Sequence, residues 1–338
     1  MKVAVDWSHK EDKLAVHTGL KARKTFPKMG KGDVVFAENI PMKKAKTLLA
    51  NGVKIMRCNT KIVSQMRKSM GLEKTDELDA KLIWQLSEEQ PEAFREWQGD
   101  PVLTTLYRSF KEIQQARVRQ DNRVWAKEEG VSAAILKDLE GVEKRILKQI
   151  ETEIAKYPIW EWLKQIKGVG PSIGGGIIGI IAKYGIKNIN QVSSLWHLFG
   201  LHVVNGKAPR LAKGSTISYI PEAKTLVLGV LSSSFIKQRS PVYSDVYYQE
   251  KERQLARVYP AGELAERFNG YKKEDIHVLK DHAHRRAIRK MAKVFMQHLW
   301  VAWRMVEGCE TRPLYAHEYL GHEHYIEPPI EFPNPPIH

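Results

Sequence analysis

Residues 33–59 read DVVFAENIPMKKAKTLLANGVKIMRCN, and they decide the fold that we predict for the first part of the chain. Residues 33–38 are an apolar, β-branched run that ends in an acid, and residues 53–59 are a second strand-like run. Between them, residues 41–51 predict a short basic helix that an Asn-Gly pair closes. A strand, a helix and a strand in this order are typical of an α/β domain.

More strands are predicted upstream of this segment, and a helix is predicted downstream. Residues 2–6 (KVAVD) are a β-branched run ending in an acid, and residues 13–17 and 23–27 predict the next two strands. After a connector that carries the basic residues Lys61, Arg67 and Lys68, residues 74–84 (KTDELDAKLIW) predict a helix capped by Thr75. Three strands followed by strand, helix, strand and helix form the element order of an RNase H-like fold. We predict this α/β fold for residues 1–100.

The rest of the chain is predicted to be mainly helical. Residues 101–157 carry apolar positions at helical spacing among many charges, which predicts a helical hairpin or a coiled coil, within one chain or between two. Residues 158–312 predict a second, mainly α-helical domain whose last element is one long basic amphipathic helix over residues 272–306. Residues 313–338 are Pro-rich and predict an extended tail.

The charge balance indicates a polyanionic partner. The 338 residues include 54 Lys and Arg against 39 Asp and Glu, a formal net charge of +15. This excess favours nucleic acid over a membrane, although a merely basic soluble protein is the alternative. Cys58 and Cys309 lie far apart without metal-ligand spacing, which argues against a zinc site or a disulfide scaffold. Neither a signal-like run nor a membrane-length apolar stretch is found, so we predict a cytoplasmic protein with no membrane partner.

Four acids form a candidate metal site. Asp6 and Glu38 each end an apolar strand, where a carboxylate is costly to bury unless it is paired or bound to a metal. If the two strands are neighbours, their ends bring these acids together, and the following helix can direct Asp76 and Asp79 to the same point. Four carboxylates repel one another unless cations separate them, and two Mg²⁺ ions do so in phosphodiester chemistry. The alternative is that the strand-end acids face water while Asp76 and Asp79 complement a helix start.

Candidate nucleic-acid contacts lie in the second half of the chain. A glycine turn in residues 166–181 (IKGVGPSIGGGIIGII) has the wrong spacing for a dinucleotide fingerprint and is closer to a helix–hairpin–helix, which binds phosphate at a helix N-terminus. A tight turn between core helices is the alternative. The basic face around residues 277–304 predicts a further contact, with a solvated face as the alternative. The candidate residues are Gly168, Gly170, Lys207, Arg210, Lys213, Arg285, Arg286, Arg289 and Lys293.

Three of these stretches, VAVDWSHKEDKLAV, VVFAEN and KTDELDAKLIW, resemble the motifs of the Piv/MooV-like DEDD transposases of bacterial and archaeal insertion sequences. The resemblance continues in the glycine-rich stretch, in SLWHLFGL and in AHRRAIRKMAKVFMQHLW, so it covers nearly the whole chain. It implies a RuvC-like first domain in which Asp6, Glu38, Asp76 and Asp79 bind Mg²⁺, with Mn²⁺ as a substitute.

The same resemblance implies an enzyme that cuts and rejoins donor and target DNA as a dimer or tetramer in the prokaryotic cytosol, guided by a structured RNA. It also implies a serine nucleophile in a Ser-Gly pair shortly after FGL, but this chain has Asn205-Gly206 there. Ser215 is the first candidate for a displaced nucleophile and Ser218 the second. Without a serine, a RuvC-like nuclease that uses water is the alternative, and a domesticated protein that only binds DNA or RNA is another.

Overall fold

The computed structural model describes residues 1–8, 13–19, 21–97, 102–128, 133–204, 206–210, 217–311 and 326–333. The chain divides into two compact units, Met1–Asp100 and Pro101–His338. The first unit contains a mixed sheet, and the described part of the second is built mainly from helices, so an α/β region is followed by a helical one as predicted. In these ranges, every helix is too short or too polar to cross a lipid bilayer.

The sheet of the first unit has six strands in the order β3-β2-β1-β4-β5-β6. Neighbours β1, β4 and β5 run parallel, whereas β2, β3 and β6 each pair antiparallel. The predicted strand over 23–27 is wrong, because β3 shares only Arg23 with it, and β6 was not predicted. The strands are β1 (Lys2–Ser8), β2 (Lys13–His17), β3 (Ala22–Arg23), β4 (Val34–Ala37), β5 (Lys54–Arg57) and β6 (Arg95–Glu96).

Three helices cover the two faces of this sheet: α1 (Met42–Ala50), α2 (Thr60–Ser69) and α3 (Asp76–Glu89). Because side chains alternate along a strand, Val3 and Val5 pack on the face that α1 covers, and Ala4 packs on the opposite face with α2 and α3. This alternation places the even-numbered residues of β1 and β4 toward α2 and α3.

The predicted basic connector is wrong, because its three basic residues lie on helix α2. The side chain of Asn59 caps this helix by accepting a hydrogen bond from the backbone N–H of Lys61 at 3.0 Å, and Val63 is buried. The predicted cap of α3 is confirmed, since the Thr75 hydroxyl accepts from the N–H of Leu78 at 3.2 Å. Two successive capped helices therefore lie against one face of the sheet.

The second unit is a helical assembly around one large core. Its long first two helices pack side by side, and α9 continues through a π-helical segment, Leu226–Leu231, into α10. The helices are α4 (Val102–Trp125), α5 (Ala133–Ile154), α6 (Trp160–Leu163), α7 (Pro171–Tyr184), α8 (Val192–Leu198), α9 (Pro221–Thr225), α10 (Ser232–Gln238), α11 (Tyr243–Ala256), α12 (Glu263–Arg267) and α13 (Lys280–Val306).

Helix α7 is central to this core because its glycines allow close packing. A Cβ added at Gly175 would lie 2.6 Å from Ile150 on α5, and one at Gly179 would lie 3.1 Å from the backbone nitrogen of Thr104 on α4. The Thr104 hydroxyl donates to the carbonyl of Gly179 at 3.1 Å. Helices α4 and α5 are therefore anchored in the core of the second unit at one end of their hairpin.

The long basic helix begins later than predicted. Helix α13 starts at Lys280, and residue 277 instead forms an isolated β-bridge with Val258. The N–H of Leu279 donates to the hydroxyl of Tyr271 at 3.0 Å, which commits the preceding backbone to a non-helical path. The predicted start at residue 272 is therefore wrong by about two turns.

The described end of the predicted tail packs onto the second unit. Trp162 donates from Nε1 to the carbonyl of Glu331 at 3.0 Å, and its ring stacks on Phe332. His298 contacts the carbonyl of Ile326 at 2.7 Å through Nε2. Residues 326–333 form no helix or strand, and their apolar side chains join the core.

Candidate metal centre

Parallel pairing brings Asp6 and Glu38 together at one edge of the sheet. Val5 on β1 is opposite Ala37 on β4, so the next residue of each strand is an acid beside the other. Both acids have the parity of Ala4, which lies on the face covered by α2 and α3. β1 continues past Asp6 to Ser8, so the predicted strand end is wrong, but the structure does bring Asp6 beside Glu38.

Helix α3 adds Asp79 and Asp76 to these acids. Asp79 is 3% exposed and Asp6 7% exposed, whereas Asp76 and Glu38 are half-buried. Burial, and then the charges of Asp79 and Asp76, together raise the pKa of Asp6 to about 6. Burial likewise raises the pKa of Glu38 to about 7, helped by the charges of Asp6 and Asp79. The four predicted acids therefore belong to one electrostatic cluster, which we call the acid cluster.

Cations from α2 and β5 surround the acid cluster. Nη1 of Arg67 hydrogen-bonds both carboxylate oxygens of Asp79 at 2.5 Å. Arg57 donates from Nε and Nη2 to the backbone carbonyl of Glu38 at 3.2 and 3.1 Å and lies over the ring of Trp97. Arg67 thus neutralises the most buried acid, and Arg57 fixes the backbone where β4 ends.

An open cavity of about 500 Å³ lies over these groups. Acids and bases line it together, and most of the bases come from helix α2, which was not predicted. Asn59, a favoured capping residue, is the sequence signal that could have revealed this helix. The cavity is lined by Glu38, Thr60, Lys61, Ser64, Gln65, Arg67, Lys68, Lys74 and Asp79.

The chemistry of the donors suits a hard divalent cation, but the present arrangement holds Arg67 against the acids. Carboxylate oxygens are the ligands that Mg²⁺ prefers, and the raised pKa values of Asp6 and Glu38 show that their negative charge is poorly compensated. In the parts of the chain that the structure describes, no three or more His, Cys, Asp or Glu side chains are arranged to hold a metal ion. Since Arg67 engages both oxygens of Asp79, this acid is free for a metal only when the guanidinium moves.

One of the two serine candidates is among the described residues. Ser215 lies outside the described residues, as do Lys213 and Asn205. Ser218 is described and is exposed, in a bend shortly before α9. These serines belong to the second unit, whereas the acid cluster lies in the first.

The glycine turn that precedes α7 has the contacts of an interior turn. Gly168 has φ of +102°, which favours glycine, and a Cβ there would lie 2.9 Å from the ring of Phe235. Its carbonyl accepts from the Ser234 hydroxyl at 2.7 Å, and Val169 is buried. Gly170 precedes the first turn of α7 as its N-cap. These contacts favour the tight turn between core helices over a phosphate-binding hairpin.

Much of the predicted basic face of α13 is engaged inside the second unit. Arg286 donates from Nη1 to Gln254 at 2.6 Å and to the hydroxyl of Tyr259 at 2.8 Å. Lys290 donates to Glu250 at 3.0 Å, and hydrogen bonds from this lysine, Arg253 and Gln254 outweigh burial and lower the pKa of Glu250 to about 2. A continuous basic stripe on α13 is therefore absent from the described residues.

Arg285 on the same helix is exposed, and it pairs with Asp281 at 2.7 Å. Lys207 is exposed too, in an isolated bridge with Val204. Two predicted contacts on α13 remain: Arg289 contacts Gly200 in the loop after α8, and Lys293 contacts Trp196 on α8 itself.

No protein-family model matches the chain, and no curated protein matches it either.

Proposed function

We propose that this chain is a DNA transposase or recombinase of an insertion sequence, which cuts and rejoins strands with Mg²⁺ held by Asp6, Glu38, Asp76 and Asp79. One observation carries the proposal: Asp6 in β1 and Glu38 directly after β4 are neighbours on adjacent parallel strands, and α3 adds Asp79 on the same face. The antiparallel strands β2 and β3 on one side of β1, with β4 and β5 parallel on the other, support the RNase H-like fold.

The residues of the first unit have distinct roles in this proposal. When bound, Mg²⁺ supplies charge neutralisation and stabilises the charge that develops on the phosphate. Asp6 and Glu38 position it from the rigid sheet, and Asp79 and Asp76 complete the set from α3. Lys61, Lys68 and Lys74 line the same cavity, where they favour the approach of a DNA backbone.

Guidance by a structured RNA, assembly into a dimer or tetramer, and attack by Ser215, with Ser218 second, are parts of the proposal that rest on the family resemblance. The pair Asn205-Gly206 in place of Ser-Gly favours a second candidate, a RuvC-like nuclease that uses water. A domesticated protein that binds DNA or RNA without cleaving it is the third.

Incubating the full chain with DNA that carries the element ends and the flanking transcript, in Mg²⁺ and in EDTA, tests these functions. The proposal expects Mg²⁺-dependent strand cleavage and a covalent protein–DNA adduct that Ser215→Ala or Ser218→Ala removes. Cleavage with no adduct would support the water-using nuclease. No cleavage under any condition would support the third candidate, a protein that binds DNA or RNA without cleaving it.

The Arg67–Asp79 pair predicts a measurable effect on metal affinity. In Arg67→Gln, Asp79 loses its guanidinium partner, so a divalent ion no longer competes with it. We expect Mn²⁺ to bind the variant about tenfold more tightly than the wild type, because one charge-assisted hydrogen-bonded pair of about 1.4 kcal/mol is no longer broken. Calorimetric titration with Mn²⁺ measures this.

Lys68→Gln is the matched control for this variant. Lys68 is also on α2 and lines the same cavity, but it is exposed. Its variant should show a much smaller change. Equal Mn²⁺ affinity in wild type and Arg67→Gln would show that Arg67 does not compete with the ion.

A further inference from the structure

A group of cations converges on the loop that follows α8. Arg289 of α13 donates from Nη1 to the carbonyl of Gly200 at 3.0 Å. Lys224 of α9 donates from Nζ to the carbonyl of Pro209 at 2.7 Å. We call Arg210, Lys224, Arg289 and Lys293 the cation cluster.

Aromatic rings hold two members of the cation cluster in place. Nζ of Lys224 lies 4.7 Å from the ring centroid of Tyr219, and Nζ of Lys293 lies 4.8 Å from that of Trp196. Such contacts orient a cation without neutralising its charge. Arg289 and Lys293, one turn apart on α13, are both half-buried.

No carboxylate balances the cation cluster in the described parts of the chain. None of its four members forms a salt bridge there, whereas the nearby Arg285 and Lys290 of the same helix both do. Burial lowers the pKa of Lys224, and the charges of Arg289 and Arg210 lower it further. Burial and the charge of Arg289 also lower the pKa of Lys293. The cluster therefore holds uncompensated positive charge in a partly desolvated place.

A histidine with spare hydrogen-bonding capacity adjoins the cluster. Both ring nitrogens of His202 are shielded from solvent and make no well-formed hydrogen bond among the described residues, although the backbone of His197 lies close enough to favour the protonated ring. Its ring stacks on that of His197, with centroids 4.1 Å apart. Burial lowers the pKa of His202, and so do the charges of His197, Arg289 and Lys224, which places the imidazole beside the cations.

We propose that the cation cluster, which lies beside His202, binds a phosphate group of a nucleic-acid backbone. A phosphate supplies the missing negative charge, and its oxygens accept hydrogen bonds from the guanidinium and ammonium groups. Arg210 is exposed, as is Lys207 in the same loop, so the cluster opens to the surface where a long polyanion can reach it. This site lies in the second unit and does not depend on the acid cluster or on a metal.

Binding of a fluorescent 30-base-pair duplex by the full chain in EDTA tests this proposal. The double variant Lys224→Gln/Arg289→Gln is expected to bind about tenfold more weakly at physiological salt. The slope of log affinity against log salt concentration should also fall by about 1, the value for one lost phosphate contact. Arg285→Gln is the matched control, because it removes an exposed arginine one turn away that Asp281 already neutralises.

An equal loss of affinity in Arg285→Gln would overturn the proposal, since net charge alone would then explain binding. So would wild-type affinity in the double variant. Arg289 also donates a hydrogen bond to the carbonyl of Gly200, so the double variant could lose affinity by misfolding. Two milder variants separate this effect from the loss of a phosphate contact. Arg210→Gln, at an exposed position, should lose about threefold in affinity, and Arg289→Lys, which keeps the charge, should bind more tightly than Arg289→Gln.

Inorganic phosphate separates a backbone site from a site for a small anion. If millimolar phosphate raises the melting temperature of the wild type but not of the double variant, and both bind the duplex equally, the site binds a small phosphate and the proposal fails. The duplex assay is run in EDTA, so it reports the cation cluster without a metal ion at the acid cluster. A failed cleavage assay and a failed duplex-binding assay therefore point to different units.

Discussion

Replacing Asp6 by Asn is expected to remove Mg²⁺-dependent strand cleavage, by about a thousandfold or more, while leaving the fold as stable as before or more so. Asp6 lies in β1 directly after the last residue that pairs with β4, and it is 7% exposed. Burial and then the charges of Asp79 and Asp76 raise its pKa to about 6. The negative charge of Asp6 therefore destabilises the folded state. In our proposal the chain keeps this charge because it binds the metal ion. Asn relieves the repulsion but puts a neutral amide, a much weaker ligand of Mg²⁺, in place of a charged carboxylate.

The sign of the stability change separates this role from a structural one. At neutral pH, Asp6→Asn should raise the melting temperature or leave it unchanged, and the gain should shrink as the pH falls below about 6, where the wild-type carboxyl is protonated too. Cleavage and thermal unfolding of the same preparations give both readouts. Glu77→Gln, an exposed acid on α3, should change neither. Retained cleavage in Asp6→Asn would contradict the metal assignment.

Replacing Gly179 by Val is expected to be the most damaging single change to the second unit. A Cβ at this position already lies 3.1 Å from the backbone nitrogen of Thr104 and 3.2 Å from the carbonyl carbon of Leu103, and backbone cannot give way as a flexible side chain can. Two further methyl groups force α4 away from α7. We expect a loss of about 3 kcal/mol and a fall in melting temperature of about 6–12 °C.

Gly229→Val is the control for this effect. Gly229 lies in the π-helical segment, is exposed and has nothing within 4 Å of an added Cβ. Its variant should stay within about 1 kcal/mol of the wild type. Equal melting temperatures for the Gly179 and Gly229 variants would show that the contact of α7 with α4 is not tight in solution.

In the first unit, the elements that were predicted correctly are those with a signal in a few consecutive residues. Apolar runs ending in acids marked β1 and β4, and Thr75 marked the start of α3, because strand alternation and capping act over a few residues. Helix α2 was missed because its apolar face is short: Ile62, Val63 and Met66 pack on the sheet among basic residues, and of these Val63 alone is buried. Its Arg67, which opposes Asp79, therefore lay beyond what pattern reasoning could find.

Contacts between distant segments explain what the sequence could not predict in the second unit. The glycines of α7 were visible, but their neighbours Leu103 and Ile150 lie on helices that precede them by many residues. Likewise, Arg289 was visible as part of a basic helix, but its partner Gly200 and its neighbour Lys224 come from other elements. Helical periodicity reports which side of a helix is polar, and not which carbonyl or ring it meets.

The packing of residues 326–333 on Trp162 and His298 has a consequence for the order in which the chain matures during translation. The sheet and helices of the first unit are complete once residue 97 has been made. The core of the second unit also needs Phe332, synthesised 170 residues after Trp162. Because domains form in the order of their synthesis, the first unit can fold early, whereas the second stays unfinished on the ribosome. During that interval the nascent chain leaves this part of its apolar interior uncovered, and a chaperone has a surface to bind.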